Sequence, residues 1–320
     1  MRNGYDTNFL GTDFSIELPN PTLSLQEDVF EPPRMDGGSI AIPYIHYSLV
    51  MSKSNRQALF SAANTDLNQR RSLGEGKGRN WFIDKRVGTE NQIGNDVYKH
   101  NPWDRGHLTR RTAVCWGDYA TALTASNDSC AYTNACLQHE QFNEDEWRIP
   151  EEAVEGFKLA KDNKLTVMTG PIFTKCDRFY STGLSMPPTR IPAGFWKTVS
   201  YVSSQSNKLV TSAYLLFQDT DTLIDREGRD RHELERFRIT TTELQLWTGL
   251  VFDNKMFESN PLKFYVDEPE SIPLSSFKEM DQESKALLAA GIAEEETLQR
   301  ARQHLSLSGL YELVDRLSWY

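Results

Sequence analysis

The chain has 320 residues, of which 38% are hydrophobic and 25% are charged, and its formal net charge at pH 7 is −10. This composition supplies enough apolar material for a core, yet no stretch approaches the roughly 20 apolar residues of a membrane-spanning helix, so a fully disordered chain and a membrane-spanning protein are excluded. The acidic balance argues against a protein that coats nucleic acid or an anionic membrane with its whole surface, but it leaves room for one local basic site.

Residues 1–38 are predicted to form an extended, partly mobile N-terminal arm. The segment contains the structure breakers Pro19, Pro21, Pro32 and Pro33 and few periodic apolar positions. No basic flank leads into an apolar run at its start, so we expect no secretory signal.

Residues 39–265 have the pattern of one mixed α+β domain. Residues 65–111 are polar and are expected to be mostly loop. The motif TTTE at 240–243 predicts a capping box that opens a helix through Leu250. Aromatic and β-branched residues predict strands within 40–51 and 57–66 and at Lys164–Met168, Phe195–Val202 and Leu209–Phe217.

The composition changes again near Val266. Residues 267–320 carry eleven acidic and five basic residues, a net charge of −6. Their apolar periodicity, with stops at Gly291 and Gly309, predicts helices. We therefore predict a small acidic helical module over residues 266–320.

The four cysteines give little support for a metal or disulfide framework. They are Cys115, Cys130, Cys136 and Cys176, and none has CxxC spacing. In a chain of this length without a signal, they indicate free thiols in a reducing compartment, so we expect a cytoplasmic protein, and a zinc site is only weakly supported.

A basic segment over residues 70–111 stands out in this acidic chain. It contains ten basic and five acidic residues, a net charge of +5, and seven of the ten bases are arginines. Arginine suits phosphate oxygens because its planar guanidinium can donate two hydrogen bonds in parallel. A solvated charged loop is the alternative, but Trp81 and Trp103 favour a nucleic-acid site.

Two groups of polar residues within and after the basic segment carry candidate chemistry. The first is Asp104–His107, in which the histidine can act as a base and Arg105 can neutralise a phosphate. The second contains Asn143, whose amide oxygen is an acceptable ligand for Mg²⁺. A structural histidine and a helix N-cap are the respective alternatives for His107 and Asn143.

Together these residues resemble the DNA/RNA non-specific endonucleases, the ββα-metal nucleases of the endonuclease G type. The family pattern is DRGH, then a Ser-Asn pair, a Gln four residues on, an Asn five further and a Trp four after that. This sequence has DRGH at 104–107 and keeps the three offsets with Asn134, Gln138, Asn143 and Trp147. The resemblance covers roughly residues 38–255. It implies a central antiparallel sheet flanked by helices.

The resemblance also implies a role for each matched residue. His107 is the expected general base. Asn143 is expected to be the direct ligand of one Mg²⁺, for which Mn²⁺ can substitute. Glu151 is expected to hold a metal-bound water. Asp104 is a weaker candidate for such an outer contact to the metal. Asn134 and Gln138 are expected to shape the site around the base. The expected contacts to the phosphate or the rest of the substrate are Arg79, Arg105, Arg110, Arg111 and Gln138.

Four departures from the family pattern bear on these roles. Thr133 replaces the usual serine, and Cys136-Leu137 stand where a proline commonly precedes the glutamine. Pro150 directly precedes Glu151 and would disturb a helix there. Glu155 occupies the position of an expected arginine.

The resemblance implies a Mg²⁺-dependent endonuclease that cleaves DNA, RNA or both with little sequence specificity. A catalytically silent nucleic-acid-binding or signalling module on the same fold is the alternative. Because an unrestrained nuclease would endanger its host, we further expect restraint by a protein partner or by oligomerisation, with a homodimer as one form. An antiphage defence effector is one such role. Residues 266–320 are the candidate docking segment for a regulatory partner, and no membrane partner is expected.

Overall fold

The computed structural model describes residues 2–33, 39–74, 80–140, 160–174, 177–182, 187–218 and 237–261, with only the main chain described at 237 and 238. Within these ranges the strands are β1 (Asn20–Pro21), β2 (Ile42–Pro43), β3 (Tyr47–Met51), β4 (Ala58–Asp66), β5 (Trp103–His107), β6 (Ala135–His139), β7 (Lys164–Ile172), β8 (Phe179–Tyr180), β9 (Thr189–Arg190), β10 (Gly194–Val202), β11 (Leu209–Phe217), β12 (Phe237–Ile239) and β13 (Leu250–Val251). The α-helices are α1 (Leu23–Gln26), α2 (Arg111–Val114), α3 (Tyr119–Ser129), α4 (Thr241–Thr248) and α5 (Asn254–Glu258). Short 3₁₀ turns occupy Thr12–Phe14, Asn95–Tyr98, Tyr132–Asn134 and Lys161–Asn163.

A seven-stranded antiparallel sheet organises the fold, with the strand order β12-β11-β10-β7-β4-β3-β2. Successive side chains of a strand point to opposite faces, so each central strand feeds two cores. In β10, Trp196 packs in a cluster with α4 and α5, whereas its neighbour Phe195 packs with α2 and α3. The α+β class and the central antiparallel sheet predicted from the sequence are confirmed.

The predicted strands are also present, with one notable extension. The strand predicted at Lys164–Met168 continues as β7 to Ile172, through Gly170 and a proline. A Cβ at Gly170 would lie 2.4 Å from the main-chain oxygen of Leu59 and 2.6 Å from the Trp196 indole nitrogen. Glycine is therefore needed for close packing of neighbouring strands here, although a Gly-Pro pair normally indicates a turn.

The predicted capping box is present at the start of α4. Thr240 Oγ1 accepts a hydrogen bond from Glu243 N at 3.1 Å, and Glu243 Oε2 accepts one from Thr240 N at 2.8 Å. The helix ends at Thr248, two residues before the predicted end at Leu250. Gly249 has a φ of +64° and forms the left-handed C-cap, which a residue without a Cβ adopts readily.

The N-terminal segment differs from the extended, partly mobile arm predicted over residues 1–38. In the described part, Ile16, Leu25 and Val29 are buried in the same core cluster as Trp196. Arg2 forms a salt bridge of 2.7 Å with the buried carboxylate of Asp128. The segment forms only short elements, such as β1 and α1, but its prolines do not prevent burial of the apolar residues between them.

Two further sequence predictions concern residues that lie partly or wholly outside the described ranges. Cys115, Cys130 and Cys136 are buried free thiols, while Cys176 lies outside the described residues. The acidic helical module over residues 266–320 also lies outside them. None of the helices in the described ranges combines the length and apolar character needed to cross a bilayer.

Candidate active site

The Asp104–His107 motif lies on β5, which pairs antiparallel with β6 to form a separate two-stranded ribbon. His107 lies opposite Ala135, and Arg105 lies opposite Leu137. This region was expected to be mostly loop because its residues are polar. Pairing with β6 makes it a strand, and it brings Asp104–His107 against the strand that contains Gln138.

Asn134 fixes the chain immediately after His107. Its side chain is fully buried, with Oδ1 accepting from Thr109 N at 2.9 Å. Its Nδ2 donates to the main-chain oxygens of Thr109 and Ser129, each at 2.9 Å. Buried amides that satisfy main-chain groups in this way hold a loop in one conformation. Asn134 thus anchors the turn that follows the candidate base.

The preceding residue, Thr133, keeps the hydroxyl of the serine that it replaces. Thr133 Oγ1 lies 2.6 Å from the Tyr44 hydroxyl, which donates to Asp84 Oδ2 at 2.5 Å. Burial raises the pKa of Tyr44, and Asp84 adds to the shift, so the phenol stays protonated and able to donate. The substitution therefore preserves a buried hydrogen-bonding group beside Asn134.

Aromatic rings surround the half-buried His107 and Arg105. The Trp81 ring lies 4.8 Å from the His107 ring, with an interplanar angle of 48°. The Arg105 guanidinium carbon lies 5.7 Å from the centre of the Trp81 ring and 5.8 Å from that of Tyr98. Aromatic faces attract cations at such distances and orient them.

Among the described residues, Arg105 donates a hydrogen bond to a neutral amide. Arg105 Nη2 donates to Asn95 Oδ1 at 2.8 Å. Burial raises the pKa of Tyr132 nearby, while Arg105 opposes that shift. An amide orients the guanidinium without neutralising its charge, so the geometry suits binding of an anion such as a phosphate group.

Gly106 leaves room for the Gln138 side chain against the β5 main chain. A Cβ at this position would lie 2.1 Å from Cδ of Gln138. Gln138 is fully buried, and its side chain lies beside Gly106. Neither of its amide atoms has a hydrogen-bond partner among the residues that the structure describes.

The remaining predicted site residues are only partly described. Asp104 on β5 lies opposite Gln138, and Arg110 and Arg111 stand at the start of α2; all three are half-buried. Arg79, Asn143 and Glu151 lie outside the described residues. In the part of the chain that the structure describes, no group of three or more His, Cys, Asp or Glu residues could hold a metal ion.

Asn95 and Tyr98 contact Arg105 but were not predicted as site residues. Both lie in a 3₁₀ turn in the basic segment, where the sequence has no periodicity that would place them. Trp81 was noted only as an aromatic residue beside arginines. Its contact with His107 could not be inferred because 26 positions separate the two.

Comparison with known proteins gives three similarities. A model of the DNA/RNA non-specific endonuclease family matches residues 30–259. The uncharacterized protein y4fB of Sinorhizobium fredii (strain NBRC 101917 / NGR234) is 30% identical over 281 residues. That alignment covers 81% of this chain but 40% of the relative, so the chain spans less than half of the relative's length.

The third similarity is structural. A crystal structure of the EndoG/EndoGI complex, which addresses the mechanism of EndoG inhibition, contains a chain with a TM-score of 0.53 and 17% sequence identity. The match covers 72% of this chain and 90% of that chain. At this identity, the similarity concerns the fold.

Proposed function

Because this chain belongs to the DNA/RNA non-specific endonuclease family, we propose that it is a Mg²⁺-dependent endonuclease that hydrolyses phosphodiester bonds of DNA, RNA or both. Its contacts would be to the phosphate backbone, which carries no sequence information, so little sequence specificity is expected. The observation that carries the proposal is the pairing of β5 with β6, in which His107 lies opposite Ala135, the residue after Asn134, and Arg105 lies opposite Leu137.

His107 is the proposed general base. It would take a proton from the attacking water as the new phosphorus–oxygen bond forms. The half-buried ring lies against Trp81, and Asn134 holds the next turn of the chain, so the imidazole has little freedom to move away. A fixed base reduces the reorganisation needed to reach the transition state.

Arg105 is the proposed electrostatic contact to the phosphate. Its charge is oriented by Asn95 and two aromatic rings and would stabilise the extra negative charge of the pentacovalent transition state. Arg79 is proposed to share this role, and Arg110 and Arg111 to contact neighbouring phosphates. Gln138 is proposed to shape the ribbon, in keeping with its burial.

A hydrated cation fits the chemistry of the candidate site. Asn143 is the proposed direct ligand of the ion. Glu151 is proposed to hold a metal-bound water, and Asp104 to contact another water of the ion's outer shell. The amide of Gln138, buried and without a partner among the described residues, supports a bound water or hydrated ion beside the ribbon. When bound, Mg²⁺ keeps much of its water shell and supplies a Lewis acid for the leaving oxygen.

A restraint on this activity is the second part of the proposal. The EndoG of the structural relative is bound to EndoGI in a complex that concerns inhibition, which supports a protein partner as one form of restraint. The acidic residues 266–320 would dock such a partner or cover the basic segment. Regulated assembly, such as a homodimer, and a role as an antiphage defence effector in the cytoplasm remain part of this proposal.

The first experiment is digestion of plasmid DNA and total RNA by wild type and His107→Ala, each with Mg²⁺ and with EDTA. Wild type is expected to cleave only with Mg²⁺. The His107→Ala variant is expected to be slower by about 10²- to 10⁴-fold, because the general base is lost. Circular dichroism and thermal melting would check that both proteins are folded.

His100→Asn is the matched control because His100 is exposed, lies outside the proposed chemistry and has a left-handed φ of +58° that asparagine tolerates. It is expected to cleave at the wild-type rate. A fully active His107→Ala protein would overturn the proposal. Binding of nucleic acid without cleavage under several divalent metals would instead support the silent binding or signalling module.

A further inference from the structure

The ribbon that carries His107 and Arg105 belongs to a different sheet from the seven main strands. A two-stranded ribbon is marginally stable by itself, so its position must come from contacts with the rest of the fold. One edge of β6 pairs with β5. Main-chain groups of Leu137 and His139 form hydrogen bonds with two glutamine side chains: both N–H groups donate to a glutamine oxygen, and the Leu137 oxygen accepts from Gln218.

Gln57 connects β6 to the chain before β10. It is fully buried and directly precedes β4. Its Oε1 accepts from Leu137 N at 3.1 Å, and its Nε2 donates to the main-chain oxygen of Arg190 at 2.8 Å. Both ends of the amide are therefore used, as expected for a polar side chain in a core.

Gln218 contacts the same strand in the manner of a neighbouring peptide group. It directly follows β11 and is 5% exposed. Its Nε2 donates to the oxygens of Leu137 at 3.0 Å and Pro192 at 2.7 Å, while its Oε1 accepts from His139 N at 3.0 Å. One side chain thus supplies both the donor and the acceptor that a strand would offer.

The topology explains why two residues 161 positions apart meet at Leu137. The strands from β11 to β4 alternate in direction, so the end of β11 and the start of β4 lie at the same end of the sheet. Leu137 in turn lies opposite Arg105 across the ribbon. A displacement of Leu137 would therefore move the proposed phosphate contact.

We propose that Gln57 and Gln218 are positioning residues of the active site, which hold β6 against the end of the main sheet and thereby fix Arg105 and His107. This inference rests on the proposed endonuclease function for its catalytic consequence. Its structural part, the holding of β6 by the glutamine pair, can be measured without any activity.

The test replaces Gln57 and Gln218 by methionine, singly and together, because methionine keeps the side-chain length but cannot replace the amide hydrogen bonds. We expect kcat for plasmid cleavage to fall about 10- to 100-fold in Gln218→Met, the range associated with small displacements of catalytic groups. KM is expected to change less than kcat, within about threefold, because Arg105 is proposed to act mainly on the transition state while the other proposed phosphate contacts, the two arginines at the start of α2, stay in place. The double variant should lose less than the product of the single losses, because both glutamines act on Leu137.

Amide hydrogen exchange supplies the readout that does not depend on cleavage. The amides of Leu137 and His139 are expected to exchange about tenfold faster in Gln218→Met, because their strand opens more often. If Gln218→Met does not fold, Gln218→Glu carries the same test, since it retains an acceptor for His139 N and removes the donor to Leu137.

Two controls separate positioning from general destabilisation. Gln205 lies in an exposed turn, so Gln205→Met should match wild type in kcat, KM and amide exchange. Ile16→Val lowers stability in the core away from the ribbon and should leave kcat unchanged at temperatures below melting. The inference would be overturned if the glutamine variants had the exchange rates and kcat of wild type. It would also be overturned if kcat fell equally in Ile16→Val. An inactive wild type would overturn the proposed function, and the exchange rates would still decide whether the glutamines hold β6.

Discussion

His46 is a buried titratable residue that the proposed chemistry does not use. It is 6% exposed, and its ring stacks on Trp116 with centroids 3.4 Å apart. Burial lowers the pKa of His46 to about 4, although a hydrogen bond with the Trp116 main chain and the charge of Asp66 oppose the shift. The unfolded chain would have the ordinary value near 6.5, so it binds the proton more readily than the folded protein.

The protein should therefore lose stability as the pH falls from about 6.5 to about 4. In this window the unfolded state is protonated at His46 before the folded state is, which favours unfolding by about 1–3 kcal/mol. Urea denaturation of wild type and His46→Asn at pH 7 and pH 4.5 measures the effect. Asparagine tolerates the left-handed φ of +67° found at this position.

His100→Asn is the matched control, because His100 also has a left-handed φ, of +58°, but is exposed. It should retain the wild-type pH dependence, whereas His46→Asn should have a weaker one. An unchanged pH dependence in His46→Asn would show that the buried imidazole does not contribute to acid sensitivity.

At the scale of elements, the β5–β6 ribbon depends on close packing between a glycine and a glutamine. Gly106→Ala should destabilise the protein by about 1–3 kcal/mol, because the new methyl group would overlap the Gln138 side chain. Combining it with Gln138→Ala should recover part of the loss. Chemical denaturation measures all three variants against wild type.

Gly94→Ala provides the comparison for that prediction. A Cβ at Gly94 would meet Ile83 at 3.4 Å, an ordinary contact, so this variant should change stability by less than about 0.5 kcal/mol. Equal losses in Gly94→Ala and Gly106→Ala would mean that overlap with Gln138 is not the cause.

The elements also show how far the sequence could predict the fold. Strands rich in aromatic and β-branched residues, such as β10 and β11, could be found because their own residues carry the pattern. β5 could not, since WDRGH lacks alternation and becomes a strand only through pairing with β6. The candidate base and Asn134 were identified by motif spacing, whereas Gln57 and Gln218 have no local pattern and meet only through the topology of the sheet.

At the scale of the whole molecule, charge is unevenly distributed along the chain. The basic segment has a net charge of +5, and residues 267–320 have a net charge of −6. Opposite charges within one chain attract over about 10 Å at ordinary ionic strength, so the acidic segment can compete with nucleic acid for the basic one. Such competition would be the physical basis of the proposed restraint.

Deletion of residues 267–320 should therefore increase cleavage, by about tenfold at low salt and less at high salt, where the attraction is screened. Initial rates of plasmid cleavage at several salt concentrations, compared with the full chain, measure this effect. A variant with Glu294, Glu295 and Glu296 changed to glutamine keeps the length and tests the charge alone. Unchanged rates and unchanged assembly after deletion would remove this segment from the proposed restraint.

The separation of the β5–β6 ribbon from the seven-stranded sheet has a consequence for inactivation by heat. Cooperative units of a protein open at different free energies. The two-stranded ribbon, held mainly by side chains, is therefore expected to open before the seven-stranded sheet. We expect the proposed nuclease activity to be lost at temperatures at which the seven-stranded sheet is still intact. Cooling from these temperatures should restore the activity quickly, because the intact seven-stranded sheet retains the surface against which the ribbon packs.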